Sequence, residues 1–289
     1  MSSAPTLWGS IRLVTLLEVR SAENLSVTAI IPTFRSEKVV LRALQSVLDQ
    51  TRSVDEIIVV DDASDDRTVE VLNEFASKHR QIRVIVNQQN VGPGQSRNIG
   101  WANAKGSLIA FLDADDTWHP KKIETQVDWL DQNPHEVICG TQHRIFDQSE
   151  TMPNDVQVSK FAIQDLLKKN RFTTPSVVLR RNIELRFDQN LRLSEDYLLW
   201  MEIASQYGRV CRLNLQLTIL HKPIYGAAGL SSKVMPMYLG ELNALRILRK
   251  KNRITTQVYL WSNVWSTIKL FRRLPSSAYR NIKWRLSVA

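Results

Sequence analysis

Three acidic clusters and one glycine turn carry the chemistry this sequence could do. The densest cluster is Asp113-Ala114-Asp115-Asp116. Hard divalent cations take oxygen ligands, and Mg²⁺ typically uses one or two carboxylates together with substrate phosphates. A short acidic run behind an apolar strand can supply those carboxylates, and so can a solvated turn that only caps the next helix. Asp61-Asp62, followed by Ser64, Asp66 and Thr68, is the second cluster. A carboxylate there can accept hydrogen bonds from a base or a ribose, or serve an Asp-rich turn. Glu195-Asp196 is the third, at the start of an expected helix. The helix dipole favours negative charge at that position, so capping is one reading. A general base that takes the proton from an attacking hydroxyl is the other. Between the clusters, Asn90-Val91-Gly92-Pro93-Gly94 leads into Arg97 and Asn98. A helix N-terminus with an arginine suits phosphate, but the Lys-Ser/Thr pair of a Walker A loop is missing. The small-residue run Gly226–Ser232 could close over a diphosphate or be a simple connector.

The elements that must position these residues follow from periodicity. Residues 26–31, 56–60, 82–86 and 107–112 are short β-branched or apolar runs that predict strands. Residues 37–50, 66–79, 92–105 and 120–130 predict the intervening helices, with Pro120 at a helix start. Alternation at about 25-residue spacing predicts a doubly wound, mainly parallel α/β sheet flanked by helices. Ligands of such sheets bind beyond the carboxyl ends of the strands, where both Asp61-Asp62 and Asp113–Asp116 fall. After residue 131 the alternation loosens. Strands are expected near 136–140, 176–180, 209–212 and 216–221, with a helix from about Ser194, its expected N-cap, to Tyr207. That half reads as a mixed lobe for an acceptor.

Bulk properties narrow the class. The chain has 289 residues, 43% hydrophobic and 23% charged, with net charge +9. Eleven Lys and Arg and no acid lie between Leu242 and Ala289, leaving 27 basic and 29 acidic groups in the first 241 residues. The body is therefore near neutral and its expected sheet rim acidic, which argues against nucleic acid as a partner. In the tail, Leu239, Leu242, Leu245, Leu248, Val258, Trp261, Val264, Trp265, Ile268 and Phe271 recur at helical spacing among the basic residues. Such helices can pack on the lobe or lie on an anionic membrane surface. Residues 7–17 are apolar but interrupted by Arg12 and too short to span a bilayer. Cys139 and Cys211 form no paired motif and read as reduced core thiols. A cytoplasmic protein is the default expectation, peripheral on the cytoplasmic membrane face if the tail docks there.

In order and spacing, these segments resemble the family 2 glycosyltransferases, an inverting group with the GT-A fold. The resemblance runs through Thr28–Phe34, EIIVVDDASDDRT, NVGPGQSRNIGWANAKGSLIAFLDADDTWHPKKIE, FDQNLRLSEDYLLW and HKPIYGAAGLSS, over about residues 26–235. It implies a nucleotide-sugar-binding half (26–130), an acceptor-binding half (131–235) and the helical tail (236–289), after an N-terminal extension (1–25). It further implies that Asp62 contacts the nucleotide base and that Pro32 and Phe34 line the base pocket. Arg97 would lie near the nucleotide and Asp113 near the ribose, with Asp115 holding Mg²⁺ or Mn²⁺. Asp196 would be the catalytic base, and Gly229 and Ser231 would cover the donor. The implied donor is a nucleotide-diphosphate sugar, with a UDP-sugar favoured, and the implied acceptor a saccharide or lipid-linked saccharide of a bacterial surface polysaccharide. The chain departs from the pattern at Phe34-Arg35, where the family often has Tyr-Asn, and at Leu185–Gln189. It also lacks the frequent Tyr-Arg late in the lobe, for which His221 or Lys222 could substitute. Two other classes use the same carboxylates: a metal-dependent hydrolase or nucleotidyltransferase, and a non-catalytic nucleotide-sugar-binding protein.

Overall fold

The computed structural model describes residues 25–149, 153, 155–222 and 234–288, with side chains as far as Arg272. Strand β1 (Val27–Thr33) is buried along its whole length, as its unbroken apolar run predicts for a strand covered on both faces. It is followed by α1 (Val40–Leu48), β2 (Glu56–Asp61), α2 (Thr68–Lys78), β3 (Ile82–Val86), α3 (Pro93–Asn103) and β4 (Leu108–Phe111). These four strands pair in parallel in the order β3-β2-β1-β4. Alternate residues of β1 feed opposite cores. Ile30 joins Trp101, Phe111 and Trp200 on one face, while Ala29 and Ile31 join Leu44, Val59 and Val127 on the other.

The second half extends the same sheet with mixed pairing. It holds β5 (Thr117–Trp118), α4 (Lys122–Gln132), β6 (Ile138–Ile145), β7 (Val158–Phe161), α5 (Ile163–Lys168), a 3₁₀ turn at Thr174–Ser176, β8 (Val177–Arg180), α6 (Glu195–Tyr207) and β9 (Val210–Leu220). The order continues β4-β8-β6-β9-β5, with β7 on β9. The β4–β8 and β8–β6 pairs are antiparallel, and β6–β9 is parallel. The two strands expected at 209–212 and 216–221 are one continuous strand, β9, whose pairing with β6 shifts register between Gly140 and His143. Cys139 and Cys211 face each other across that pair as buried free thiols.

The tail forms two helices, α7 (Val234–Lys250) and α8 (Thr256–Val288), which pack on each other. Leu245, Leu248, Ile254 and Leu270 are buried. Glu241, itself buried, accepts a hydrogen bond from Ser266 Oγ at 2.6 Å and pairs with Lys269. Trp265 donates its indole N–H to the Lys168 carbonyl of α5 at 3.0 Å. The opposite stripe of α8 faces outward: Leu260, Trp261, Val264, Ile268 and Phe271 are exposed. Among the described residues, no helix is long and apolar enough to cross a membrane.

Candidate active site

The acids at the ends of β2 and β4 both lie at the carboxyl rim of the sheet, but they do different things there. Asp61 is buried and accepts bonds from Thr33 Oγ1 (3.2 Å), Ser64 N (2.9 Å) and Ser64 Oγ (2.6 Å). Asp62 accepts from Asn87 Nδ2 (2.9 Å), Val91 N (2.9 Å) and Gly92 N (2.8 Å). Its carboxylate thus anchors the loop that leads into α3. Gly92 sits at φ 90°, a backbone region that side chains disfavour. Pro32 is buried within β1, whereas Phe34 just beyond it is 43% exposed. Arg35 caps the Phe34 ring at 5.1 Å and forms a two-bonded ion pair with Asp65, each bond 2.6 Å.

The glycine turn delivers Arg97 to the centre of the rim. Its side chain is almost wholly buried. Nη2 donates to Asp113 Oδ1 at 2.5 Å, and Nη1 reaches Glu195 Oε1 at 3.4 Å. The guanidinium lies 5.4 Å from the centre of the Phe187 ring. The neighbouring Asn98 exchanges two hydrogen bonds with the backbone of Phe187, at 2.8 and 3.1 Å. Arg97 and Asn98 therefore pull the segment before α6 against α3. Gly94 makes that contact possible, because a Cβ there would stand 2.8 Å from Glu195 Cγ.

Asp113–Asp116 is a tight turn closed by Asp116 N donating to the Asp113 carbonyl at 3.0 Å. Asp113 is paired with Arg97, and Asp115 with Lys222 Nζ at 2.9 Å. Arg42 bonds the Asp115 carbonyl at 2.8 Å. Asp116 is buried and accepts from His221 N at 3.2 Å. Burial, then the charges of Asp113 and Asp115, push its carboxyl up to about 8.

Glu195 and Asp196 open α6. Ser194 stands at the N-cap of that helix, as expected, without using its side chain there. It is buried in the left-handed conformation at φ 62° and makes no capping bond. Its hydroxyl instead lies in the contact with α7, 3.1 Å from where a Cβ on Gly240 would be. Asp196 accepts from Tyr197 N at 2.7 Å and from Thr174 Oγ1 at 3.4 Å. Burial raises the Asp196 carboxyl above its ordinary range. Burial and then the Asp196 charge raise Glu195 to about 7. Two acids raised by burial at one helix start can hold or accept a proton, as a general base must.

The rim residues also fit a divalent cation. Among the described residues no three His, Cys, Asp or Glu side chains cluster to form an all-protein cage. A Mg²⁺-type site needs only one or two carboxylates when phosphates complete it. With Asp113 committed to Arg97, half-buried Asp115 is the carboxylate that can serve. The Asp116 carboxyl is raised first by burial and only then by the charges of Asp113 and Asp115, and a cation beside the turn would offset that second part.

The model of the family described as "Glycosyl transferase family 2" matches residues 28–187. The chain belongs to that family. A curated Rickettsia felis relative, an uncharacterized glycosyltransferase, is 31% identical over 185 residues, covering 62% of this chain but 30% of its own length. The Escherichia coli enzyme WfgD, a UDP-Glc:alpha-D-GlcNAc-diphosphoundecaprenol beta-1,3-glucosyltransferase, is 31% identical over 177 residues, covering 61% of this chain and 69% of that enzyme. Among solved structures, the mannosyltransferase PcManGT of Pyrobaculum calidifontis, in complex with GDP-Man and Mn²⁺, superposes with a TM-score of 0.61. It covers 92% of this chain and 81% of that one at 17% identity, so it bears on the fold.

Of the residues that the family pattern singles out, Asp113, Arg97, Asp115 and Asp196 fall on one stretch of rim. Asp62, just past the end of β2, is tied into the α3 loop. Gly229 and Ser231 lie outside the described residues. The family pattern did not point to Glu195 as an Arg97 partner, to Thr174 beside Asp196, or to Lys222 on Asp115. Each contact joins residues far apart in the chain, and nothing local in the sequence marks it.

Proposed function

We propose that this chain is an inverting glycosyltransferase that moves a sugar from a nucleotide-diphosphate donor, with UDP favoured, to an acceptor hydroxyl. The observation that carries the reading is Arg97, which grips Asp113 of one acidic motif and Glu195 of another 98 residues away. It makes a phosphate-side cluster and a proton-accepting pair into a single site. A Mg²⁺ or Mn²⁺ held by Asp115 and the donor phosphates would offset charge on the leaving diphosphate. Asp196 takes the proton of the acceptor hydroxyl. The hydroxyl oxygen bonds to the sugar carbon as the carbon–phosphate-oxygen bond breaks, and the diphosphate leaves with that electron pair. Asp62 and exposed Phe34 receive the base, and Asp113 the ribose.

The acceptor in this reading is a saccharide or lipid-linked saccharide of a cell-surface polysaccharide, which the diphosphoundecaprenol-linked acceptor in WfgD's name supports. The exposed Trp261–Phe271 stripe, on a segment whose charged residues are all basic, supports docking on an anionic membrane at the cytoplasmic face. Vesicle flotation tests this docking: recovery with phosphatidylglycerol vesicles should fall when Trp261 and Phe271 become Ser. Equal recovery from neutral vesicles removes the anionic preference, and no recovery with either vesicle removes the membrane element.

The donor reading is tested by a screen of UDP-, GDP- and TDP-sugars for thermal stabilisation, with and without Mn²⁺. One nucleotide class should raise the melting temperature more with metal, and its sugar should appear on an acceptor. Release of phosphate or nucleotide with no sugar transferred would favour the hydrolase reading.

A further inference from the structure

Lys222 stands where an incoming metal would act. Its Nζ lies 2.9 Å from Asp115 Oδ2, with side chains 51% and 35% exposed. The backbone beneath it is held firmly. His221 N donates to Asp116. His221 Nε2 bonds Thr117 Oγ1 at 2.9 Å, and its ring stacks on Phe146 at 4.7 Å. Strand β9, which ends at Leu220, pairs with β5 directly after the acidic turn. The residue is thus anchored beside the turn, while its ammonium sits on a flexible four-carbon stem. An ion pair this exposed is worth little and separates readily. Asp113 differs: its partner Arg97 is buried and tied to a second acid.

Resting on the donor reading above, we propose that Lys222 is a tethered cation that covers Asp115 until the donor arrives and then moves to the diphosphate. Two opposite effects follow from one side chain. Toward a free metal ion, Lys222 is a competitor for the same carboxylate oxygen. Toward the donor, it is a phosphate partner that works even without metal, because an ammonium is a compact donor for phosphate oxygens. The exchange keeps the charge on Asp115 balanced before and after donor binding. Metal binding thereby becomes dependent on the nucleotide.

The test uses the full chain and the Lys222→Met and Lys222→Arg variants, with matched melting curves as a folding check. Mn²⁺ binding without nucleotide is read by electron paramagnetic resonance. UDP and GDP binding in EDTA is read by calorimetry. Lys222→Met should bind Mn²⁺ about threefold more tightly, in line with loss of an exposed ion pair. The same variant should bind the preferred diphosphate about tenfold or more weakly without metal, as expected for a lost charge-assisted bond. Lys222→Arg should restore the metal-free diphosphate affinity. Unchanged or weaker Mn²⁺ binding in Lys222→Met, or unchanged diphosphate binding, overturns the inference and leaves the donor reading standing. If the wild-type chain binds neither Mn²⁺ nor any nucleoside diphosphate, both fall together.

Discussion

The two acidic motifs of the site meet at Arg97 yet are electrostatic opposites. Asp113 and Asp115 sit on a half-open turn, each beside a cation, Arg97 or Lys222. Glu195 and Asp196 sit at the head of a buried helix, where Arg97 reaches Glu195 only at 3.4 Å and burial holds the carboxyls toward their protonated form. The first arrangement suits exchange of one cation for another. The second suits exchange of a proton. The difference shows how one residue type serves two tasks: an exposed carboxylate beside a cation can trade that partner, while a desolvated one has its proton affinity raised.

The sharpest way to break the contrast is Asp196→Asn. If Asp196 is the proton acceptor, kcat should fall by about 10²–10⁴-fold, the range for a lost general base. Nucleotide affinity by calorimetry should stay near wild type, because the donor side is untouched. In the wild type the acidic limb of the rate profile should lie above the ordinary carboxylate range, since burial raises Asp196 and the base works only when deprotonated. Near-normal turnover in the variant would move the base elsewhere, with Glu195 the next residue to examine.

A gentler break displaces the second motif without changing its charge. Gly94→Ala places a methyl 2.8 Å from Glu195 Cγ, so the acid pair must shift. Misplacement on that scale costs up to about 10²-fold in rate. We expect kcat to drop roughly tenfold or more while the metal dependence of nucleotide binding is preserved. Wild-type kinetics would mean that the Glu195 position is not critical.

The smallest effect concerns Asp116, the member of the first motif that behaves like the second. Its folded carboxyl titrates near 8, well above its value in an unfolded chain. Between those two values the folded state holds a proton that the unfolded state has released, so the group's contribution to stability declines as pH rises. Asp116→Asn removes that slope. Urea midpoints at pH 5 and pH 8 should therefore lie closer together in the variant than in the wild type. Equal separations would mean that Asp116 does not hold a proton in the folded state at neutral pH.

The parallel half of the fold was legible because its central strands are buried on both faces and read as β-branched, mostly apolar runs, as in Val27–Thr33 and Glu56–Asp61. Elements β7 and α5 were not legible. Val158–Phe161 is an edge strand with Ser159 and Lys160 exposed, and Ile163–Lys168 spans six residues, too few to show a helical period. The residue types of the site were visible, but their partners were not. Ser194 is at the helix N-cap that its type and place predict, but its hydroxyl lies against α7 and makes no capping bond. The tail pattern suited either packing or an outward face. Leu245 and Leu248 turn in while Trp261 and Phe271 turn out, so the hairpin has both.

One consequence follows from the pairing of β4 with β8. That antiparallel ladder, Leu108–Ala110 against Val178–Arg180, joins the two halves of the chain as neighbouring planks of a single floor. A hinge at that seam would have to tear main-chain bonds in the middle of a sheet. Two lobes swinging shut about that seam would therefore break the sheet. Any opening or closing around the reactants falls to the connections standing on the rim, and the floor that aligns the acids stays level throughout.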